Sequence, residues 1–318
     1  MTRREEDVAA EMFVTYTHDY LLFFTNLGRV YRLKCYEVPE GSRTSKGMNI
    51  ANLLPIAQDE KVTSMIRVEE FNETSYLVMV TKNGVIKRTA LSAYDTARKA
   101  GVIALDLDAG DELSWVRLTD GDTELLVATR LGMAIRFRET DVRPMGRSAR
   151  GVRAVTLRDG DCVVGMSTLR EGGLVLTVSE TGYGRLSSIG DYRIQSRGGK
   201  GLLNYHVEKY GNVAAIKVVD RSDDIILIAS DGVIIRIQAD SIRECLRPSK
   251  GVLLMRIGED SRVVTVARAS HEEDEAADSL PETDEDTDDA TDLEEETEEE
   301  NDGENENSAA DPEENNEE

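Results

Sequence analysis

Short apolar runs, each ending in a polar turn that contains glycine, recur along the first 270 residues at intervals of about fifty residues. The runs are rich in β-branched residues and are bounded by Gly and Asp, a pattern that predicts strands rather than helices. Glycine tolerates the positive φ of a tight hairpin, so the turn after each first run predicts a β-hairpin. The five turn glycines are Gly28, Gly84, Gly132, Gly182 and Gly232.

A second glycine follows the first by 17 or 19 residues in every copy, at Gly47, Gly101, Gly151, Gly201 and Gly251. It opens a third apolar strand, and an acidic or glycine-containing turn then leads to a fourth strand rich in Val. Each copy therefore predicts four strands. Because one four-stranded unit cannot bury both of its faces, we expect the copies to pack around an axis.

The predicted fold is all-β, a propeller-like array of about five to six four-stranded blades followed by a disordered acidic tail. Residues 11–270 contain five full repeats, and residues 1–10 are interpreted as the N-terminal remnant of a truncated blade. Residues 271–318 consist mainly of Asp, Glu, Asn and Thr. Such a segment cannot offset its ordering entropy by burial, so we expect it to be disordered.

The net charge of −24 is misleading because the acidic residues are concentrated in the tail. Residues 271–318 hold 26 of the 62 acidic residues and no Lys or Arg, which leaves 36 acidic and 38 basic residues in residues 1–270. The overall acidity therefore does not argue against an anionic partner for the repeats. The tail itself is interpreted either as a solubilising segment or as a mobile polyanion that competes with nucleic acid.

The sequence also constrains the compartment. No apolar run approaches the length of about 20 residues that a membrane span needs, and the N-terminus lacks the apolar stretch of a secretion signal. Three cysteines, far apart and without a CxxC pair, disfavour a disulfide framework and a structural zinc site. We expect a cytoplasmic protein without a metal site.

The loop before each second glycine carries a recurring basic motif, Arg-x-x-Lys/Arg-Gly in most copies. Its cations are Arg43, Lys46, Arg98, Lys99, Arg147, Arg150, Arg197, Lys200, Arg247 and Lys250. The strand after the hairpin turn adds Arg32, Lys87, Arg88, Arg136, Arg138 and Arg236. Cations that recur at one position of a curved array predict a basic band along its rim, which their recurrence favours over the alternative of plain solvated surface.

Double-stranded DNA is the natural partner for such a band, because each phosphate that is neutralised releases condensed counterions. Small residues beside the cations predict backbone N–H groups available to phosphate oxygens. No blade presents a recognition helix, and aromatic residues make up only 5% of the chain. The pattern favours sequence-independent binding to a bent duplex. A propeller used for protein–protein contacts is the alternative.

No motif in the chain predicts a catalytic centre. The only three histidines are isolated, and the Gly199-Lys200 pair lacks the remaining residues of a phosphate-binding loop. We therefore expect no catalytic residue in this chain.

The segment Gln195–Gly201, which reads Gln-Ser-Arg-Gly-Gly-Lys-Gly, closely resembles the seven-residue box of the DNA gyrase A C-terminal domain. It departs from that box in having Ser196 in place of Arg, and in lying in the fourth full repeat rather than the first blade. Further stretches similar to that family are Gly28–Tyr31, Asn52–Pro55 and Arg143–Gly146.

The resemblance implies a β-pinwheel over residues 11–270 that wraps DNA so that gyrase can introduce negative supercoils. It adds the box residues Gln195, Gly198, Gly199 and Gly201 to the candidate DNA contacts. No Arg-Tyr-Thr motif with a DNA-cleaving tyrosine occurs, so the chain is expected to be a non-catalytic part of a type IIA topoisomerase, as a fragment or a stand-alone relative. The corresponding C-terminal domain of topoisomerase IV is the near alternative.

The resemblance also implies the partners: double-stranded DNA in the nucleoid, a gyrase catalytic core and the gyrase B protein. No cofactor is expected in this chain, because ATP and magnesium would belong to the catalytic partners.

Overall fold

The computed structural model describes residues 15–41, 47–96, 98 and 100–269, all within one compact unit. Four groups of predictions lie outside the described residues: the remnant at 1–10, the cations Arg43 and Lys46, the cation Lys99, and the tail at 271–318.

Five antiparallel sheets, one for each repeat, make up the described residues. The first strand of each repeat is central in its sheet and almost fully buried: β1 Tyr20–Thr25, β4 Tyr76–Thr81, β8 Glu124–Thr129, β12 Leu174–Ser179 and β16 Asp224–Ala229. The hairpin turn leads to the second strand: β2 Arg29–Lys34, β5 Val85–Ala90, β9 Met133–Arg138, β13 Tyr183–Ser188 and β17 Ile234–Gln238. These elements confirm the predicted hairpins and the all-β propeller of five blades.

The last strand of each repeat pairs with the other side of the central strand. These strands are β3 Val62–Val68, β7 Leu113–Thr119, β11 Val163–Thr168, β15 Val213–Val219 and β19 Val263–Ala269. Neighbouring blades pack face to face. One apolar cluster joins Phe24 to Leu77 and Met79 of the next blade, and another joins Leu176 to Leu227. Burial on both faces explains why the central strands are continuous apolar runs.

The strand that follows the second glycine is placed differently from the prediction. It joins the sheet of the preceding repeat, so that each blade is completed by its successor: β6 Val102–Ile103 pairs with β2, β10 Val152–Arg153 with β5, β14 Leu202–Leu203 with β9, and β18 Val252–Leu253 with β13. The prediction that all four strands of a repeat lie in one blade was wrong. These strands are mainly apolar, with Arg153 as the exception, and their composition does not reveal which sheet they join.

Short helical turns connect the strands. Five 3₁₀ turns follow the second strands, at Cys35–Glu37, Leu91–Tyr94, Glu139–Asp141, Ile189–Asp191 and Ala239–Ser241. A further 3₁₀ turn lies at Ile50–Asn52, and one α-helical turn, α1, at Val207–Tyr210. In the third, fourth and fifth repeats, whose basic loops are fully described, the loop runs from a 3₁₀ turn to the exchanged strand along the outer edge of the preceding blade.

Candidate nucleic-acid interface

The second glycines fix the basic loops against the preceding blade. Gly101, Gly151, Gly201 and Gly251 all have φ between 74° and 100°, a region that favours glycine. A Cβ at Gly151 would lie 2.6 Å from the Ile86 carbonyl oxygen, and one at Gly201 or Gly251 would also meet a backbone carbonyl of the preceding blade. The loops of the described repeats are therefore held at equivalent places, one for each junction between blades.

The first arginine of the loop braces it on the preceding repeat. Arg197 Nε donates to the Asp141 carbonyl oxygen at 2.9 Å, and Arg197 Nη1 to that of Arg153 at 3.1 Å. Arg247 makes the same two bonds fifty residues later, to the carbonyl oxygens of Asp191 and Leu203, both at 2.8 Å. These guanidinium groups use part of their five donors inside the protein, so that their first role is to hold the loop.

Arg147, the corresponding residue of the third repeat, makes neither of these bonds. Its Nη1 atom is buried without a hydrogen-bond partner among the described residues. The loop cations are therefore equivalent in position but differ in their contacts.

In the third and fourth repeats, the basic residue before the second glycine is exposed, whereas the first arginine of the loop is half-buried. Lys200 is exposed, and no described residue pairs with its ammonium group. Arg150 is 64% exposed and forms an ion pair with Asp108, beside a cleft of about 500 Å³ between the second hairpin turn and the third loop. Lys250 is half-buried, with its Nζ 3.5 Å from the ring centre of Tyr183. Arg98 is exposed. Lys200 and Arg98 are thus the two cations of this set that are exposed and form no ion pair with a described residue.

Part of the backbone of the box-like segment, Gln195–Gly201, is already hydrogen-bonded within the protein. Gly198 donates its N–H to the Ala154 carbonyl oxygen at 2.6 Å, so this N–H is not available to phosphate, contrary to the expectation from the sequence. The carbonyl oxygens of Gly198 and Gly199 accept from Thr156, through its hydroxyl and its N–H. Among the described residues, the N–H groups of Gly199 and Lys200 have no acceptor, which leaves two adjacent donors beside an exposed cation.

Gln195 is anchored by its backbone. Its N–H donates to the Arg136 carbonyl oxygen at 2.8 Å. Its side-chain Nε2 is buried and has no hydrogen-bond partner among the described residues. Gln195 therefore fixes the start of the segment and does not present its amide nitrogen to solvent.

Two predicted second-strand contacts are wrong because the side chains are buried. Lys87 is completely buried, and its Nζ donates to the Ala104 carbonyl oxygen at 2.5 Å and to that of Arg147. Burial, assisted by the charge of Arg147, lowers the pKa of Lys87 to about 7. Arg88 is 7% exposed and lies 3.7 Å from the buried carboxylate of Glu139. Neither can contact an external phosphate in this conformation.

A related buried cation, Arg185, was not predicted and occupies the same repeat position as Lys87. Its Nε donates to the carbonyl oxygen of Ser249 in the next loop at 3.1 Å, and its Nη2 to that of Asn204 at 2.5 Å. Lys87 and Arg185 therefore hold the loops of the third and fifth repeats from inside. Aligning the repeats could have revealed both, because the other copies have Tyr31, Ile135 and Ile235 at this position.

The remaining second-strand arginines are largely paired within the protein. Arg32 binds Asp95 at 2.7 Å, Arg136 forms an ion pair with Glu124, and Arg236 forms one with Asp224 at 2.5 Å. Arg138 is exposed. Most of the second-strand cations that were predicted to contribute to the basic band are therefore buried or paired within the protein. The outward cations lie mainly in the loops.

A second set of outward cations was not predicted. Arg143, Arg193 and Arg243 are spaced by fifty residues, each four residues before the first arginine of its loop, and all three are exposed. Isolated bridges next to them, such as that between Arg136 and Ile194, dock this segment along the outer edge of the preceding blade. The fifty-residue spacing is the signal that could have found them.

No helix among the residues that the structure describes is long and apolar enough to cross a bilayer.

The fold and these loops define a propeller with exchanged strands and an arginine-rich outer edge that repeats from blade to blade. A family model described as "DNA gyrase C-terminal domain, beta-propeller" matches the chain five times, once for each blade, over residues 19–69, 75–120, 123–170, 173–220 and 223–270. The chain belongs to this family, which confirms the resemblance noted in its sequence.

Known proteins agree with this assignment. The DNA gyrase A protein of Staphylococcus aureus (strain MRSA252) is 43% identical over 279 residues, which are 86% of this chain and 32% of the relative. The chain thus spans about a third of the length of the curated relatives it matches.

Two solved structures share the fold. A C-terminal domain of DNA topoisomerase IV gives a TM-score of 0.77 at 29% identity and covers 82% of this chain and 83% of that one. A DNA gyrase A C-terminal domain gives a TM-score of 0.69 at 26% identity, covering 80% and 83%.

Proposed function

We propose that this chain is a DNA-binding and DNA-wrapping module of a protein similar to DNA gyrase A. It binds duplex DNA without sequence preference along the outer edges of consecutive blades. The observation that carries this proposal is the recurrence of exposed cations at equivalent positions of successive blades, with Arg143, Arg193 and Arg243 as the most regular set. Cations at regular intervals on a curved edge suit the regular phosphates of a bent duplex.

The internal braces support this proposal. Arg197 and Arg247 tie their loops to the preceding repeat, and Lys87 and Arg185 hold loops from inside. A loop whose backbone is already fixed loses little conformational entropy when it binds a phosphate. Bending a duplex of 20–30 bp costs on the order of 1–6 kcal/mol, which contacts from several blades would offset.

The remaining roles follow from the family. The chain acts with a gyrase catalytic core and the gyrase B protein in the cytoplasm, supports negative supercoiling by that core, and has no catalytic residue or cofactor of its own. ATP and magnesium belong to the catalytic partners. A role in topoisomerase IV is the second candidate, favoured by the higher TM-score of the topoisomerase IV domain.

The test measures DNA affinity as a function of salt. Replacing Arg143, Arg193 and Arg243 together by Ala is expected to weaken binding of a 40-bp duplex and to flatten the slope of log affinity against log salt by about 2–3, since each phosphate contact contributes about 0.9. Fluorescence anisotropy between about 50 and 200 mM salt measures this slope.

A matched control changes the charge elsewhere. Arg170 and Arg221 are 41% and 56% exposed and pair with Asp220 and Glu244. Replacing both by Ala also removes positive charge but should leave the salt slope unchanged. An equal loss of slope per charge removed in the two variants would show that only net charge matters. An unchanged slope in the triple variant would refute the proposed interface and favour a protein-docking propeller.

A further inference from the structure

The outer edge of the fourth blade carries an apolar side chain that the described residues leave uncovered. Leu246 lies in the basic loop of the fifth repeat, directly before Arg247. It is 75% exposed, more than any other large apolar side chain in the described part of the chain. The third and fourth repeats have Gly146 and Ser196 at this position. Residues 100–269 are described without a gap, so every sequence neighbour of Leu246 is in place.

The backbone on both sides of Leu246 is held by hydrogen bonds. Before it, the Cys245 N–H donates to the Leu186 carbonyl oxygen at 2.8 Å, and the Cys245 carbonyl oxygen accepts from the Ser187 hydroxyl at 2.9 Å. The Leu246 carbonyl oxygen accepts from the N–H and the hydroxyl of Ser249, at 3.2 and 2.7 Å. Because turning the loop inward would break these bonds, the side chain of Leu246 is presented to solvent at a fixed place.

The surroundings of Leu246 are cationic. A single exposed apolar residue needs no explanation in itself, but here Arg243 lies exposed three residues earlier and Arg247 follows directly. The acidic residue between them, Glu244, forms an ion pair with Arg221. An apolar protein surface that covered Leu246 would also have to bury these charges, which is costly. A polyanion with apolar groups of its own suits this place better.

The neighbouring repeats show the same combination of residues. The exposed Arg193 of the fourth repeat is followed by Ile194, which is 46% exposed, and the exposed Arg143 of the third repeat is followed by Pro144, which is exposed as well. Parallel bridges to the second strand of the preceding blade hold both apolar residues. On three successive edges, therefore, an exposed apolar residue lies within three positions of the outward arginine, and Leu246 is the most exposed of the three.

We propose that Leu246 inserts between two base pairs in the minor groove of the bound duplex and kinks the duplex where it passes the fourth blade. This inference rests on the DNA-binding proposal and adds a contact with the bases to it. Leucine is among the apolar side chains that proteins insert in this way, and such insertions kink DNA by about 20–90°. A duplex that follows a curved edge has to bend, so a kink at a fixed point reduces the bending that the phosphate contacts must supply.

Insertion makes binding depend on how easily the DNA unstacks. TA steps are flexible and easily unstacked, whereas A-tracts are stiff. The test therefore compares a 40-bp duplex of alternating T and A with a 40-bp dA·dT duplex, and it needs no fixed register because the alternating sequence offers a TA step in every register. The wild type should bind the alternating duplex about threefold to tenfold more tightly. Permanganate, which oxidises unstacked thymines, should react faster with the bound alternating duplex than with the free one.

Variants at position 246 identify the side chain responsible. Leu246→Ala should reduce the affinity ratio about threefold and return the thymine reactivity to that of free duplex. It should keep the wild-type slope of log affinity against log salt, because an apolar side chain neutralises no phosphate. Leu246→Met keeps a long apolar side chain and should retain both the ratio and the reactivity. Leu118→Ala is the matched control, since Leu118 is 41% exposed on β7, on the side of the second blade away from the outer edge.

The outcomes separate this inference from the DNA-binding proposal. If Leu246→Ala keeps the wild-type ratio and thymine reactivity, insertion is overturned, DNA binding stands, and a protein partner becomes the better occupant for this side chain. A Leu246→Met variant that behaves like Leu246→Ala would also contradict insertion. If the wild type binds neither duplex, both proposals fail. Thermal unfolding checks that the variants are folded.

Discussion

The buried amine of Lys87 makes the stability of the propeller depend on pH in a defined direction. Its folded-state pKa of about 7 lies below the ordinary value of 10.5. Between these values the unfolded chain holds more protons than the folded one, so stability rises with pH. Below pH 7 both states are protonated, and the cost of burying the charge is present in full. A neutral amine still has two N–H groups for the carbonyl oxygens of Ala104 and Arg147.

The size of the effect follows from this pKa. Raising the pH from 6.5 to 8.5 should increase the free energy of unfolding by about 2 kcal/mol through Lys87 alone, because one pKa unit corresponds to about 1.4 kcal/mol. Lys87→Met removes the titrating group and should abolish this increase. It also removes the Lys87 donor from the carbonyl oxygens of Ala104 and Arg147, and only that of Ala104 keeps another donor, the Tyr94 hydroxyl at 3.3 Å. An unsatisfied carbonyl costs about 1–3 kcal/mol, so the variant should be less stable than the wild type at pH 8.5.

Urea unfolding at constant ionic strength, at several pH values from 6.5 to 8.5, measures both effects. Lys82→Met is the matched control, because Lys82 is 50% exposed and pairs with Glu112. It should keep the wild-type dependence on pH. The same dependence in wild type and Lys87→Met would refute the assignment of a lowered pKa to this amine.

Other substitutions test the internal braces and the tail. Arg185→Met should lower the free energy of unfolding by about 2 kcal/mol or more, because buried carbonyl oxygens lose their donor. The control Arg138→Met, at the exposed surface, should change the free energy of unfolding by less than about 0.5 kcal/mol. Equal effects of the two substitutions in urea unfolding would contradict the role of Arg185 in holding the loop. Gly201→Ala should destabilise by about 2 kcal/mol or more, since its φ is +76° and its Cβ would meet the Ala134 carbonyl; an unchanged midpoint would show that the loop can move. Ending the chain at residue 270 should tighten DNA binding most at low salt, and weaker binding in a titration would argue against the tail as a competitor.

The hairpins and the number of blades could be predicted because they depend on local signals. A positive-φ glycine at a fixed position and a run of β-branched residues define each hairpin without knowledge of its neighbours. The strand exchange could not be predicted, since the apolar residues of Val102–Ile103 or Val252–Leu253 are compatible with a strand in either blade. Pairing between repeats is a tertiary property that apolar composition does not encode.

For the candidate site, prediction from the sequence was limited by a different problem: whether a cation on a strand faces solvent or the core. A lysine or arginine in a half-apolar strand is usually interpreted as outward, and Lys87 is not. The repeats contain the correction, because the other copies place Tyr31, Ile135 or Ile235 at this position. A similar comparison of the repeats explains why the second-strand arginines are used inside the protein. Each has an aromatic or acidic partner twelve residues earlier: Arg32 has Tyr20, Arg88 has Tyr76, Arg136 has Glu124 and Arg236 has Asp224. In the fourth repeat both positions are apolar, Leu174 and Leu186.

The central claim is that one duplex lies along the outer edges of consecutive blades. Pairs of cysteines at positions 143 and 193, 193 and 243, and 143 and 243, in a chain whose three native cysteines are replaced by Ser, can each carry two photo-crosslinkers for one 60-bp duplex. Because binding without sequence preference has no fixed register, the quantity measured is the separation between the two crosslinks on the same duplex. A duplex that follows consecutive blades predicts a larger separation for the 143 and 243 pair than for either neighbouring pair. Crosslinks that coincide in all three variants, or that occur from one position alone, would contradict this path.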